Sequence, residues 1–206
     1  MAGYSVLVSE ITSRLGNRSD ITARVPQWLN DSYFELLLSP RFSFYELDAS
    51  TTLTTTASTR TYSLSSVSDL WFILSLRDTT NVRRLRRANV RDFDEIQHTE
   101  GQPTRYARFG SSLEFDPTPD GTYTLTLRYR KRPPELASGS SPLIAREWDE
   151  VLIALAVLKG REALEQTEQA AAQRALVEGM MAAREEVLSL EDADADTTIG
   201  VEFRGY

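Results

Sequence analysis

The spacing of apolar residues changes twice along the chain, from helical at the amino end to strand-like in the middle and back to helical. Residues 4–15 carry apolar side chains at the 3.6-residue period of an amphipathic helix, and Gly16 predicts its end. Asp20 is a suitable N-cap for a second helix to about Leu38, and Pro26 is expected to kink that helix or delay its start. The sequence therefore predicts two amino-terminal helices.

The middle of the chain has the composition of β-strands. Segments such as STTLTTT, TRTYSL and LWFILSL are rich in threonine, leucine and aromatic residues and are separated by short polar breaks. Leu70–Leu76 is apolar on both faces, which predicts a central strand, whereas VRRLRR at 82–87 predicts an edge strand. Three further strands are predicted over residues 103–108, 113–116 and 122–130, with a Pro-Asp-Gly turn at Pro117–Gly121 between the last two.

Helical periodicity returns after a glycine- and serine-rich linker at Ala137–Ser141. One helix is predicted from Trp148 to about Glu165, and Thr167 is a suitable cap for a second. The second helix has a narrow apolar stripe, formed by Ala172, Leu176, Met180, Ala183, Val187 and Leu190.

These elements predict an α+β fold class. We expect a four-helix bundle of two N-terminal and two C-terminal helices, an inserted antiparallel β domain, and an extended C-terminal tail. The tail is acidic and then aromatic, has no period, and is not expected to fold alone. The predicted boundaries are residues 1–40 for the N-terminal helices, 41–136 for the β domain, 142–190 for the C-terminal helices and 191–206 for the tail.

Composition limits the class of protein. With 206 residues, 41% of them apolar, and no cysteine, the chain can bury a core without disulfides. It has no secretory leader pattern and no apolar run near the ~20 residues that cross a bilayer, so we expect no membrane partner. The net charge of −7 is uneven: residues 77–132 hold 12 basic and 8 acidic side chains, whereas residues 135–206 hold 6 and 15. The two parts are therefore expected to have different surroundings.

The sequence offers little for catalysis. His98 is the only histidine and lies in a polar stretch without a nucleophile motif, so we interpret it as an exposed loop residue. Asp192–Asp196 alternates aspartates as calcium loops do, but it lacks their glycine and closing glutamate. Carboxylate pairs such as Asp92 with Asp94 are interpreted as solvated helix faces rather than the facing pair of a glycan hydrolase. We predict no enzyme activity and no catalytic, cofactor-binding or metal-binding residues.

Arg83, Arg84, Arg86 and Arg87, joined by Arg91, form the sharpest polar feature of the chain, and the run RYRKR (Arg128–Arg132) adds to the same basic region. Guanidinium groups can neutralise the phosphates of nucleic acid, or they can pair with an acidic surface on this chain or on a neighbour. The acidic total charge and the lack of a nucleic-acid-binding motif favour ion pairing as the role of these arginines, and they disfavour a soluble DNA-binding protein.

Several segments occur in an order and spacing that match a known family. They are DITARVPQWLNDSYFELL (Asp20–Leu37), FSFYEL, TRTYSLSSVSDLWFILSLRD, GQPTRYARFGSSLEFDPTPDGTYTLTLRYRKRPPEL (Gly101–Leu136) and SPLIAREWDEVLIALAVLKGREAL. Over about residues 20–190 the chain resembles the head-to-tail adaptor (connector) proteins of tailed bacteriophages, of the tail-tubular-A-like type. Pro26 and VRRLRR depart from the family pattern.

The resemblance implies a structural virion protein, made in the host cytoplasm and placed in the neck between head and tail. Twelve copies would form a ring that contacts the portal protein on one side and a downstream neck or tail protein on the other. Genomic double-stranded DNA would pass through the ring without sequence readout, and the ring would help to retain and eject the genome. The alternative is a tail-completion or other minor tail protein with three-fold or six-fold symmetry.

Two sets of residues receive roles from this resemblance. The C-terminal segment resembles the tails by which such adaptors dock onto the portal, with four apolar anchors at Ile199, Val201, Phe203 and Tyr206. Arg83, Arg84, Arg86 and Arg87 would form ion pairs across a subunit boundary. The acidic carboxyl-terminal part would suit a channel wall, because negative charge keeps DNA from adhering.

Overall fold

A computed structural model describes residues 2–95 and 99–198 of the chain, with side chains through Ser189. The backbone separates into two compact units. One is built from residues 45–133 and contains the strands, and the other combines residues 1–44 with residues 134–206 and contains the long helices. We refer to them as the β unit and the helical unit. No helix in the described part of the chain combines the length and apolar character that crossing a membrane requires.

Ten strands occur in the described residues of the β unit, and β8 and β10 among them follow a clear alternation of apolar and polar residues in the sequence. A short helix, α3 (Val90–Asp94), is capped by the Asn89 side chain, which accepts a hydrogen bond from the Arg91 amide. The strands are β1 (Asp48–Thr54), β2 (Thr61–Ser63), β3 (Leu70–Asp78), β4 (Arg83–Arg84), β5 (Arg86–Arg87), β6 (Glu100–Gly101), β7 (Arg105–Phe109), β8 (Ser112–Asp116), β9 (Thr118–Pro119) and β10 (Thr124–Lys131).

The described strands form three sheets. The first sheet has the order β1-β10-β3-β4 and is antiparallel throughout. The second has the order β2-β8-β7-β5, in which β5 lies parallel to β7, and the third is the parallel pair β6-β9. Apolar side chains from the first two sheets form one core, which includes Leu76, Phe115 and Leu127. Burying these side chains is the main stabilising term of the β unit.

The helical unit contains four α-helices in its described residues. They are α1 (Tyr4–Arg14), α2 (Val25–Leu38), α4 (Asp149–Ala163) and α5 (Thr167–Thr198). Helix α4 lies at the centre, contacts each of the other three, and is buried on nearly all sides from Val151 to Val157. An apolar stretch with little amphipathic character is what such a central helix requires.

Polar side chains of α2 hold the segment that returns from the β unit. The Asn30 amide nitrogen donates to the Leu136 carbonyl oxygen at 3.0 Å, and the Asn30 amide oxygen accepts from the Leu136 backbone N–H at 2.7 Å. One turn further along, the Tyr33 hydroxyl oxygen accepts from the Leu143 N–H at 3.0 Å. These contacts satisfy backbone groups of a segment without regular structure, which would otherwise be buried without partners.

The expected four-helix bundle with an inserted antiparallel β domain and an extended C-terminal tail is wrong in its architecture. The described chain is α+β with five helices and three sheets, and a β-rich core dominates it. At 1.5 Å per residue α1 is about 17 Å long and α5 about 48 Å, so most of α5 exceeds the length over which α1 could pack beside it. The parallel pairs β5-β7 and β6-β9 exclude an antiparallel domain, and α5 continues to Thr198.

Three local predictions have different outcomes in the structure. Helix α2 begins at Val25 with Pro26 in its first turn, so the proline delays the start as predicted, and Asp20 pairs with Arg18 instead of capping the helix. The edge position predicted for VRRLRR is confirmed, but the segment forms two short strands, β4 and β5, each of which ends a different sheet. Pro117–Gly121 is no hairpin turn, since β8 and β10 belong to different sheets.

Candidate interaction surfaces

The arginine cluster crosses from the edge of one sheet to the edge of the other. Arg84 lies opposite Arg77 in the first sheet, and Arg86 lies beside Arg105 in the second. Leu85, between them, is buried in the core, and its N–H donates to the Leu76 carbonyl oxygen at 2.9 Å. One buried leucine thus fixes the arginines on either side of it at the surface.

None of the four cluster arginines has an ion-pair partner among the side chains that the structure describes. Tyr106 of β7 is buried and lies beside Arg87 in the register of β5 and β7. Burial raises the pKa of the Tyr106 hydroxyl, and the positive charges of Arg87 and Arg84 offset part of that rise. The cluster is therefore an exposed group of unneutralised charges, available to an anionic partner.

A groove on the outer face of the first sheet joins Arg84 to two arginines from neighbouring strands. The groove has a volume of about 460 Å³. Arg77 of β3, Arg84 of β4 and Arg128 of β10 line it, and all three side chains are exposed. We refer to it as the arginine groove, and its other lining residues are Ser75, Thr79, Val82 and Thr126.

The turn between β3 and β4 presents Val82 at this groove in a strained conformation. Val82 has φ of 53° and an exposed fraction of 69%. A β-branched residue in the left-handed region costs roughly 1–3 kcal/mol, and it persists only where neighbouring contacts hold it. The turn therefore stores strain at an exposed apolar side chain.

Asp78, which is only 1% exposed, provides the contacts that hold the turn. Its carboxylate accepts hydrogen bonds from the Thr80 amide at 2.8 Å, from the Asn81 amide and side chain, and from the Gln102 side chain at 3.1 Å. Burial alone raises the pKa of Asp78, but these hydrogen bonds outweigh it and hold the pKa below its usual range. The buried carboxylate thus remains charged and organises the turn.

Helix α5 presents a second candidate surface. It buries Ala170, Gln173, Val177 and Met181, and the Gln173 amide donates to the Ala154 carbonyl oxygen of α4 at 3.1 Å. The apolar stripe identified from the sequence, which suits helix packing between or within subunits, is largely exposed, with Leu176 at 53% and Val187 at 47%. The described members of this exposed stripe are Ala172, Leu176, Met180, Ala183 and Val187.

No group of three or more His, Cys, Asp or Glu side chains in the described part of the chain is placed to hold a metal ion. Asp149 accepts a hydrogen bond from the Ala2 amide, and Glu150 pairs with Arg14 at 3.0 Å, so this carboxylate pair joins α4 to the amino end. His98 and the four predicted anchors lie outside the described residues, the anchors being Ile199, Val201, Phe203 and Tyr206.

Sequence reasoning missed Arg77 as a neighbour of Arg84, and it linked Arg128 to the cluster only as part of the same basic region. The three residues are up to 51 positions apart in the chain, and the pairing of β3 with both β4 and β10 brings them to one face. The alternation of Arg128 with buried Leu127 and Tyr129 predicts that Arg128 lies on the exposed face of its strand, but it does not predict which residues lie beside it.

Comparison with known proteins places the chain in a family. A model of the family described as SU10 adaptor protein matches residues 3–200, which is nearly the whole chain. No curated protein matches it. The chain therefore belongs to the SU10 adaptor protein family, which is a family of structural phage adaptors and not of enzymes.

Proposed function

We propose that the protein is the head-to-tail adaptor of a tailed phage, and that twelve copies form a ring between the portal and the tail. The family match over residues 3–200 carries this proposal. Membership implies a place in the virion neck, contacts with portal and tail proteins, and oligomerisation. Synthesis in the host cytoplasm, followed by assembly onto a filled head, is the route that fits such a role.

Two exposed surfaces would join copies in the ring. The first is the exposed stripe of α5, where apolar side chains at spacings of three and four residues suit packing against a helix of the next copy. The second is the arginine cluster of Arg83, Arg84, Arg86 and Arg87, whose charges would pair with acidic groups across the subunit boundary. Both surfaces lack a partner within the described part of the chain.

The C-terminal segment would dock onto the portal protein. Ile199, Val201, Phe203 and Tyr206 would be the apolar anchors of this contact. Deleting residues 199–206 is expected to abolish portal binding and to leave the monomer folded, as judged by co-sedimentation and circular dichroism. Unchanged portal binding would contradict the docking role.

The charge of the helical unit fits a channel through which DNA moves. Its sequence holds 10 basic and 19 acidic side chains, whereas the β unit holds 13 and 11. A negative wall does not adhere to phosphates, so genomic DNA could pass without sequence readout during retention and ejection.

Light scattering and electron microscopy test the proposal most directly. The protein is measured alone and after mixing with the portal protein from the same genome. A twelve-fold ring on the portal is the expected result. A protein that ignores the portal, or a ring of three or six copies, would contradict it and favour a tail-completion or minor tail protein.

A further inference from the structure

We propose that the arginine groove binds the acidic segment Glu191–Asp196 of a second copy of this chain. This inference deepens the proposed function, since it rests on assembly of copies and names one contact that would join them. It assigns the groove a peptide ligand rich in carboxylates, and it includes Arg77 and Arg128, which lie outside the sequence cluster.

The first argument is the charge of the groove. The register places Arg77 opposite Arg84 on one side and opposite Thr126 on the other, and Arg128 lies opposite Ser75. None of the three arginines forms an ion pair or a side-chain hydrogen bond with any residue that the structure describes. Like charges on adjacent strands repel each other, so an anionic ligand would stabilise this arrangement.

In contrast to the groove arginines, a neighbouring arginine on the same sheet has an ion-pair partner. Arg130 of β10 donates to the Asp48 carboxylate at 3.0 Å and lies over the Phe72 ring, with 5.5 Å between the guanidinium carbon and the ring centroid. Asp48 is at the start of β1, and β1 brings no acidic residue to Arg128, which it meets at Ser50. The sheet thus neutralises Arg130 and leaves the groove arginines for an external carboxylate.

The second argument is the apolar end of the groove. Val82 lines it, is largely exposed, and is held at positive φ although glycine would fit there without strain. A strained and exposed apolar residue next to three cations is unfavourable in the isolated chain. It suits a ligand that combines carboxylates with an aliphatic side chain, as the sequence LSLEDADAD does.

The third argument is the character of the acidic segment. Residues 191–196 hold four carboxylates in six positions, and no basic residue occurs between Arg184 and Arg204. The backbone of α5 continues to Thr198, so this segment belongs to the last turns of the helix. Asp192 and Asp196 are four residues apart in the sequence, with Asp194 between them.

Duplex DNA is the other polyanion to consider, and the observations favour the peptide. A surface that binds along a phosphate backbone has basic residues across much of a domain, whereas the net charge of the β unit is only +2, from 13 basic and 11 acidic side chains. A guanidinium group can also donate two hydrogen bonds to one carboxylate, a bidentate pairing that suits a segment with several aspartates.

Peptide binding to the full chain tests the inference without requiring a ring. The probe is a fluorescent peptide of residues 187–198, VLSLEDADADTT, followed by anisotropy. We expect binding that weakens as NaCl rises from about 50 to about 300 mM, and that falls about tenfold in the triple variant R77Q/R84Q/R128Q. The matched control R18Q/R24Q/R174Q removes the same charge from the helical unit and should bind as the native chain does.

A charge-swap experiment identifies the contact as one between copies. The groove variant R77E/R84E/R128E and the segment variant E191K/D192K/D194K/D196K should each fail to assemble on the portal, and an equimolar mixture should assemble. In the mixture each groove meets a segment of opposite charge.

A Val82→Gly variant is expected to fold at least as stably as the native chain and to bind the peptide more weakly, which separates a binding role from a structural one.

Several outcomes would overturn the inference. They are absence of peptide binding, equal binding by the groove variant, failure of the mixture to assemble where the native chain does, or arginine-dependent binding of duplex DNA in place of the peptide. If the native chain forms no ring on the portal but its groove binds the peptide, the proposed function fails and the groove assignment stands.

Discussion

Substitution by alanine should stabilise the chain at Gly179 in α5 and should be neutral to destabilising at Gly160 in α4. Gly160 is buried, and a Cβ atom at this position would lie 2.6 Å from Leu15 Cδ1 and 3.2 Å from Trp28 Cε3. Gly179 is exposed, and a Cβ atom there would have no heavy atom within 4 Å. Both glycines are helical, so the helix-forming preference changes equally at the two positions.

The expected magnitudes follow from two opposing terms. Replacing glycine by alanine within a helix gains about 1 kcal/mol. At Gly160 the added methyl group must displace the buried Leu15 or Trp28 side chain, and overpacking of this kind costs about 1–3 kcal/mol. We therefore expect Gly179→Ala to stabilise by about 1 kcal/mol and Gly160→Ala to be less stable than Gly179→Ala by about 1–3 kcal/mol.

Urea unfolding followed by circular dichroism and tryptophan fluorescence measures this difference, because Trp28 and Trp148 both report on the helical unit. A double variant Gly160→Ala with Leu15→Ala adds a check, since shortening Leu15 should relieve part of the clash and make the two changes non-additive. The packing argument is refuted if Gly160→Ala gains as much stability as Gly179→Ala, or if the Leu15 change adds independently.

Three further predictions concern stability and assembly. Asp78→Ala leaves donors of the β3–β4 turn without an acceptor and should lose about 2–4 kcal/mol in urea unfolding of the β unit. Because the pKa of Asp78 is lowered on folding, this contribution is present above the ordinary carboxyl pKa near 4 and is lost as pH falls through the folded value, so native and variant stabilities should converge in acid. Asn30→Ala should lower the melting temperature, with a loss of about 1–3 kcal/mol, because the Leu136 N–H and carbonyl lose their partners; an unchanged melting temperature would show that water replaces the amide. Leu176→Ser should weaken ring formation in sedimentation velocity without lowering monomer stability, and a stability loss of more than about 1 kcal/mol would place Leu176 in the monomer core instead.

The helices and strands follow from the order of residue types along the chain. Alternating Leu125, Leu127 and Tyr129 predicted a strand, and all three are buried on one side of β10. Pro26 predicted a delayed helix and stands in the first turn of α2. Such features depend on local backbone preferences and on the period of burial, both of which a single segment contains.

The face of α5 illustrates what periodicity leaves open. Two neighbouring stripes of this helix are apolar or small, one containing Val177 and Met181 and the other Leu176 and Val187. Only the first is buried, because α4 supplies apolar surface on that side and Gln173 reaches the Ala154 carbonyl. Both stripes satisfy the helical period, so periodicity alone does not decide which of them α4 covers.

The sequence by itself determined the family, the strand and helix segments, and the exposure of VRRLRR at a sheet edge, since each of these resides in local order and spacing. Only the tertiary structure decided that Arg84 meets Arg77 and Arg128, that Asp78 holds Val82 under strain, and that α5 leaves an apolar stripe uncovered. The reason is that these features arise from which elements pack together, and the pairing of distant strands and helices depends on the free energy of the whole core rather than on any one segment.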